Sequence, residues 1–499
     1  MYILMKKIIH TPILISALIV LFTLTGYAQF PEDVLRLSTP GTGVGARSLG
    51  LGMAYTGVAN DFSAMYWNPA GLAQLRMNEI SLGLSNLSFG NTGTLSDDPT
   101  GKAFGNGQSF TNSGTNLNSL GFVYSVPTNR GSFVIALGYG RQTDFTTGLS
   151  FAGFNPRSSV IQSFAPDSAP TSNPHGANNL AFELYLADAD SLGPNDFRWY
   201  SPIIGRVTQS GTVLEGGGLN NVSAAAAFEA SPNLFLGLTL NIVTGSYSFN
   251  RKYYEDDLSN IYNGSPSGAV SPLQFQSLSI SEIVESDLSG FSAKFGFLYK
   301  FMPNSRVGIA IKTPSWITVR ETYSQFGTSD FDNGDHVEWT TADGVQNEYD
   351  VSTPFVFSGG ASYGYQGLML AGDLDYTDWT QMEFRNASSH LLEQNALIKK
   401  RFRSTVNLRL GAEYEVVPSV VQLRAGFAFQ QSPYNGDAAD YARKYITGGL
   451  SFALQNTMIV ELGYAYGFWK DYVSNYKGPS ITNEDIHTSN LLGTVSYRF

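Results

Sequence analysis

The chain has 499 residues, no cysteine, a formal net charge of −11, 14% charged residues, 13% aromatics and 52 glycines. Soluble domains carry ~25% charged residues and nucleic-acid binders present a basic surface, so this composition argues against an ordinary globule and against nucleic acid as a partner. The missing cysteines exclude disulfides, thiolate metal centres and lipid attachment at an N-terminal cysteine.

Lys6 and Lys7, the apolar run from Ile8 to Leu24 and the small-residue end Gly26-Tyr27-Ala28 read as a secretory signal peptide over 1–28. The run is short for a helical span of ~20 residues, and no later segment is apolar enough to cross a bilayer as a helix. A secreted chain of this kind is either soluble or a closed barrel, because only helices and closed barrels satisfy every backbone hydrogen bond in lipid.

Residues 29–77 are punctuated by Gly41, Gly43, Gly45, Gly50 and Gly52 and show no strand pattern. They carry too few charges for a disordered tail, and are expected to form a plug, or hatch, inside a barrel made by residues 78–499.

From Ile80 onward apolar residues alternate with small or polar ones, the signature of half-buried strands. One strand at Ile80–Leu84 precedes six hairpins. Their short turns are Pro127–Gly131, Ser231–Asn233, Met302–Asn304, Tyr365–Gly367, Val417–Ser419 and Gln455–Thr457. A last strand, Leu491–Phe499, follows, giving about 14 strands. The apolar face carries no charge. The other face carries Lys294, Asp373, Asp375, Asn407, Arg409, Glu413, Gln422, Arg424, Glu461 and Arg498.

Short turns alternate with long polar connections at roughly 90–115, 141–219, 249–285, 313–348, 380–401, 430–441 and 468–488. This is the arrangement of outer-membrane barrels. Tyr139, Tyr376, Trp379, Tyr466 and Trp469 fall near the long-loop ends, where an interfacial girdle is expected. The fold class is therefore all-β, a transmembrane antiparallel β-barrel in the outer membrane of a Gram-negative cell. Its long loops are expected outside, and its turns and both termini on the periplasmic side.

Catalytic and metal motifs are weak. Gly41-x-Gly43-x-Gly45 lacks the preceding strand and βαβ unit of a dinucleotide loop, and no P-loop lysine follows any glycine cluster. Asp330-x-Asp332-Asn333-Gly334-Asp335 resembles the start of a calcium loop, but the glycine falls one position early and Thr341 stands where the closing glutamate belongs. It reads as a solvated loop, as does Glu255-Asp256-Asp257. His10 lies in the signal peptide, and His175, His336, His390 and His487 in expected loops. No enzyme activity, catalytic residue, metal or cofactor is expected.

Arg409 and Arg424 are expected on facing positions of one hairpin, pointing into the lumen, with Glu413 on the same face. They read either as a salt-bridge ladder that stiffens the wall or, with Lys294, as an anion site for a ligand head group.

Gly45-Ala46-Arg47-Ser48-Leu49-Gly50 through Ala59-Asn60-Asp61 to Tyr66-Trp67-Asn68-Pro69-Ala70-Gly71-Leu72 resembles the hatch of the FadL/TodX-type long-chain fatty-acid transporter family, whose N-P-A motif maps to Asn68, Pro69 and Ala70. Asp375–Trp379, Leu423–Phe427 and Ser432-Pro433 look like its later strands, and the final Tyr497-Arg498-Phe499 resembles the C-terminal signature of outer-membrane barrels. The resemblance implies a porin-like, monomeric barrel of fourteen strands plugged by a hatch. Such a barrel passively takes up hydrophobic compounds such as long-chain fatty acids and releases them sideways into the bilayer through a gap in its wall. The long connection at 141–219 departs from the family's compact pattern. The glycine-rich opening also resembles a second branch of the family, barrel shuttles of type IX protein secretion. The expected partners are thus hydrophobic small molecules and the lipid bilayer or, on the alternative, secretion-system proteins.

Overall fold

The computed structural model describes residues 30–499 apart from 165–169, 172–178, 194–195, 263–273, 342–343 and 455–456. The expected signal peptide, His10, His175 and the turn residues Gln455 and Asn456 lie outside the described residues.

Fourteen antiparallel strands form the barrel. They are β1 (Glu79–Ser96), β2 (Gln108–Val126), β3 (Phe133–Asp144), β4 (Val207–Ser231), β5 (Leu234–Asp256), β6 (Phe275–Met302), β7 (Ser305–Lys312), β8 (Val356–Tyr365), β9 (Leu368–Asp378), β10 (Ser404–Val417), β11 (Val421–Gln430), β12 (Arg443–Leu454), β13 (Met458–Ser474) and β14 (Ile481–Arg498). Each pairs with the next, and β14 returns to β1 from Glu79↔Arg498 to Ser96↔Ile481. Closure leaves no open edge, which lipid would not tolerate. Among the described residues no helix is long and apolar enough to cross a membrane.

The alternation that defines the strands also defines the wall. In β13, Leu462, Tyr464 and Tyr466 are exposed on the outside while Glu461, Gly463 and Ala465 are buried inside. The turn between β8 and β9 is a two-residue loop with Gln366 at φ 48 and Gly367 at φ 82. Two successive positive φ values make the primed turn whose twist matches a hairpin, and glycine supplies the second at no steric cost.

Three expectations need correction. The long connections are much shorter than expected, because the strands continue as polar ladders above the apolar band. β1 and β2 pair out to Gly93↔Gln108, β13 and β14 out to Ser474↔Ile481, and β4 and β5 out to Thr208↔Asp256. Apolar alternation marks only the lipid-facing stretch, whereas strand pairing needs backbone alone. The 313–348 connection is likewise built. After Pro314, strand Trp316–Phe331 continues along β6 and pairs with His336–Thr340 and Val345–Ser352.

The second correction concerns the aromatic belt. Trp379 is buried and donates to Thr405 (2.8 Å), and Trp469 packs inward beside Arg443 and Tyr445. The third concerns the N-terminus. Helix Pro31–Ser38 lies at the long-loop end, where Glu32 pairs with Arg401 (2.8 Å) and Thr39 accepts from Thr143 (3.1 Å). Of the two ends of the described chain, only the C-terminal one lies at the turn end. Val34 and Leu37 of this helix are buried with Tyr349, Phe384, Leu391 and Phe402, which gives its apolar stripe a core to enter.

Candidate functional site

From its outer helix the N-terminal segment descends through the lumen and follows the inner wall around. Ala46 donates to Thr494 on β14 (3.0 Å), Gly52 to Thr447 on β12 (2.9 Å), and Tyr55 and Thr56 to Asp373 on β9 (2.8 and 2.7 Å). Asn68 donates to the Phe297 carbonyl on β6 (3.0 Å), and Ser132, just before β3, donates to Ala73 (2.6 Å). The circuit is possible because the wall is glycine-rich where it touches. A Cβ at Gly296 would stand 2.2 Å from Asn68 Oδ1.

Asn68, Pro69 and Ala70 form the tightest part of this contact. The Asn68 amide also donates to Thr56 (2.8 Å), its oxygen accepts from Ala70 N (3.2 Å), and Pro69 starts a 3-10 turn, where a missing N–H costs nothing. All three are fully or almost fully buried. The motif locks one stretch of the segment to another and to the wall.

Above the segment lies a cavity of about 90 Å³. Its floor is apolar and aromatic, with Phe62, Met65, Tyr66 and Trp67, and its wall presents Lys294, Lys312, Arg409 and Asp375. Arg409 pairs with Asp375 and stands 5.3 Å from the Trp67 ring. Lys294 donates to the Tyr66 carbonyl and lies 4.9 Å from the Tyr66 ring. Lys294 and Lys312 face one another across the β6–β7 ladder. Among the described residues Lys312 has no ion pair and no hydrogen-bond acceptor.

The structure separates the two arginines expected to face each other. The register of β10 and β11 sets Arg409 opposite Ala428 and Glu413 opposite Arg424, four positions from the expected pairing. An irregularity between Glu415 and Val417 accompanies this register. Arg424 does not line the cavity. It is sealed between Glu413 (2.6 Å) and Glu461 (3.0 Å). Sequence reasoning missed two residues. Arg47 grips Glu413 through two 2.8 Å bonds; the sequence placed it in the hatch-like stretch but gave it no partner. Lys312 sits on the inward parity of β7 as its last residue, and the sequence reading did not name it among the inward-facing polar residues.

Outside the lumen, Glu255 also differs from expectation. It is fully buried under the extracellular connections and accepts from Ser159, Val160 N (2.7 Å), Tyr253 (2.8 Å) and Gln209 (2.9 Å). Burial among Phe151, Ile161, Leu180 and Phe275 holds its carboxyl above the usual range despite these donors. The Asp330–Asp335 stretch ends a hairpin, with His336 bonded to Asp330 (2.7 Å) and Glu338 (3.0 Å). Among the described residues no three His, Asp or Glu side chains are placed to hold a metal ion.

The family described as outer membrane protein transport protein (OMPP1/FadL/TodX) matches residues 210–498, more than half of the chain. Among solved structures, a FadL homologue of Pseudomonas aeruginosa is 12% identical with a TM-score of 0.56, over 93% of this chain and 100% of that one. The toluene transporter TodX of Pseudomonas putida is 12% identical with a TM-score of 0.50, over 90% of this chain and 98% of that one. At such identities the likeness is one of fold. No curated protein matches the chain. A closed fourteen-stranded outer-membrane barrel, its lumen threaded by its own N-terminal segment, and a family match across most of the wall lead to one assignment: the chain belongs to the outer membrane protein transport family OMPP1/FadL/TodX.

Proposed function

We propose that this protein is a passive channel that admits amphipathic hydrophobic acids, such as long-chain fatty acids, into the outer membrane, with residues 29–77 as its plug. The observation that carries this reading is Lys312, a half-buried cation on the polar wall of a cavity with an aromatic floor, with no partner of its own among the described residues. A buried charge is costly unless paired, and a carboxylate head group entering beside the aromatic floor supplies the missing partner. Lys294 and Arg409 stand next to it as further donors, while Arg424 serves the wall.

A cavity of about 90 Å³ holds a head group but no long chain, since small-molecule sites span ~300–1,000 Å³. Passage therefore requires part of the N-terminal segment to shift. The inner cavity reaches the wall at Gly140, Gln142 and Asn221, and release sideways there would spare the molecule a path through the plug. The alternative role as a secretion shuttle is not favoured by the comparisons.

The test compares binding of a long-chain fatty acid and of an alkane of equal length by purified wild type and Lys312→Met. A charge-assisted hydrogen bond is worth ~1.5–3 kcal/mol, so acid binding should weaken roughly tenfold or more while alkane binding holds. Equal loss for both would reject the head-group assignment, and no binding of either by wild type would reject the channel reading.

A further inference from the structure

The outward face of β13 changes character in a fixed order. From the middle of the membrane upward it presents Leu462, Tyr464, Tyr466, Phe468, Lys470 and Tyr472, all exposed. The first four continue the lipid-facing belt, and the Tyr466 and Phe468 rings lie 6.2 Å apart. Period two then sets a cation and a further aromatic ring on the same face. On β12 the belt ends in the same way, with Ile446 followed by Lys444, which stands directly opposite Phe468 in the ladder.

Both lysines have donors to spare, since an ammonium group carries three. Lys444 lies half-buried along the wall with its Nζ 6.0 Å from the Phe468 ring, and has no ion pair or hydrogen-bond acceptor among the described residues. Lys470 meets Asp485 of β14 at 3.9 Å, but both side chains are mostly exposed and such a pair contributes little. Above them the exposed Tyr472 ring is held edge-on against Tyr441 at 5.8 Å. Seven strands away, on the far side of the barrel, the outward residues above Phe291 of β6 are Ser289, Asp287 and Glu285. The two sides of the rim thus differ in charge.

The order on β13 matches the layers of a phosphorylated glycolipid in the outer leaflet. Its acyl chains run beside the belt, its phosphates lie where the belt ends, and its sugar rings rise above them. Tyr464, Tyr466 and Phe468 fit the first layer and the two lysines the second. Tyr472 fits the third, because an aromatic face packs on the apolar face of a pyranose ring.

We infer that the outer face of β12 and β13 binds a phosphorylated glycolipid of the outer leaflet, with Lys444 and Lys470 holding its phosphates. Lysine is a compact charge suited to phosphate, and cations at a bilayer surface attract anionic head groups over about a Debye length. Asp485 opposes the phosphate and limits the affinity. The site lies outside the lumen and stands independently of the channel reading.

The test uses the purified, folded barrel in zwitterionic nanodiscs. The probes are diphosphoryl lipid A and the same lipid stripped of both phosphates, in EDTA so that no divalent cation bridges phosphates. Wild type should bind the diphosphoryl form more tightly. Lys444→Gln/Lys470→Gln should weaken that binding roughly tenfold or more, at about fivefold for each surface cation, and bind the stripped lipid as wild type does. Lys399→Gln/Lys400→Gln removes the same charge from the exposed end of the helix Ser389–Arg401 and should leave both affinities unchanged. Asp485→Asn, which removes the opposing acid, should tighten diphosphoryl binding about twofold, a gain that misfolding does not produce. Equal affinity of wild type for the two lipids would overturn the site. So would equal losses for the two lysine pairs, which would leave only diffuse attraction, or unchanged or weaker binding by Asp485→Asn.

Discussion

Arg47 on the N-terminal segment and Glu413 on the barrel wall form a two-pronged ion pair, with Nε and Nη2 each 2.8 Å from a separate carboxylate oxygen. The same carboxylate also holds Arg424 (2.6 Å). The fork geometry fixes orientation as well as distance, so this pair positions the short helix Ala46–Gly50 against the wall. Arg47→Ala should therefore loosen the segment without dismantling the barrel, because Arg424 still neutralises Glu413. The cost should be about 1–3 kcal/mol, that of a lost charged hydrogen bond. In planar bilayers the variant should show a higher ion conductance than wild type while remaining heat-modifiable on gels. Wild-type conductance would mean that the other wall contacts hold the segment alone.

Barrel closure makes a second prediction. Asn78 and Phe499 exchange two backbone hydrogen bonds (3.0 and 3.1 Å), extending the β1–β14 ladder by one step, and Phe499 stacks on Tyr497 at 5.8 Å between centroids. Deleting Phe499 removes both bonds and an outward aromatic ring at the seam that completes the barrel. The yield of folded, heat-modifiable protein should fall. An undiminished yield would show that the seam is set earlier, along the long register from Glu79↔Arg498 upward.

The barrel was readable from sequence because lipid enforces period two. Residues such as Leu462 and Tyr464 must face out, so their neighbours face in. What lies outside lipid obeys no such rule. Strand continuation out to Gly93 and Ser474, the inward turn of Trp379 and the buried Glu255 depend on tertiary partners that local pattern does not encode. Within the lumen, parity correctly set Arg409, Glu413 and Arg424 on one face. That they form ion pairs was one of the two readings, but which acid meets which arginine was not legible, because that depends on the hairpin register and on a segment some 370 residues away in sequence. Lys312, the cation on which the proposed function rests, lies at the edge of a readable strand just before Pro314.

The hairpin end around His336 should respond to pH in both directions. Hydrogen bonds to Asp330 and then Glu338 hold the imidazole above its ordinary value of about 6.5, and the bond from His336 holds Asp330 below its usual range. The raised imidazole contributes order that is full below about pH 6.5 and is lost as pH rises through the raised value. The depressed carboxyl contributes order that is present above about pH 3.9 and is lost as pH falls through the lowered value. Between the two, proteolytic nicking at this hairpin end should be slowest, and an NMR titration should find His336 above 6.5. A midpoint at or below 6.5 would rule out the ion pairs in solution.

Glu255 makes the sharpest test of how the extracellular connections are held. Its Oε1 takes three donors, Val160 N, Tyr253 and Gln209, whereas Oε2 meets the Ser159 hydroxyl. A glutamine can keep the first oxygen and offer its amide to Ser159, whose hydroxyl accepts as readily as it donates. Glu255→Gln should therefore fold with little loss. Glu255→Ala takes the acceptor from the Val160 N–H and the Tyr253 and Ser159 hydroxyls, whereas Gln209 keeps Ser158 (3.0 Å) and Tyr476 (2.8 Å), at about 1–3 kcal/mol for each donor not rescued by water. The pH dependence should separate the two forms further. Burial raises the folded-state carboxyl pKa, so the folded state holds its proton more tightly than the unfolded chain. Stability is then greatest below the unfolded value of about 4.3 and declines as pH rises through the folded one. Wild type should accordingly lose resistance to limited proteolysis in this region as pH rises, and Glu255→Gln, with no proton to release, should not. Parallel pH profiles for the two proteins would show that Glu255 is ionised without cost and that its four donors, rather than burial, decide its charge.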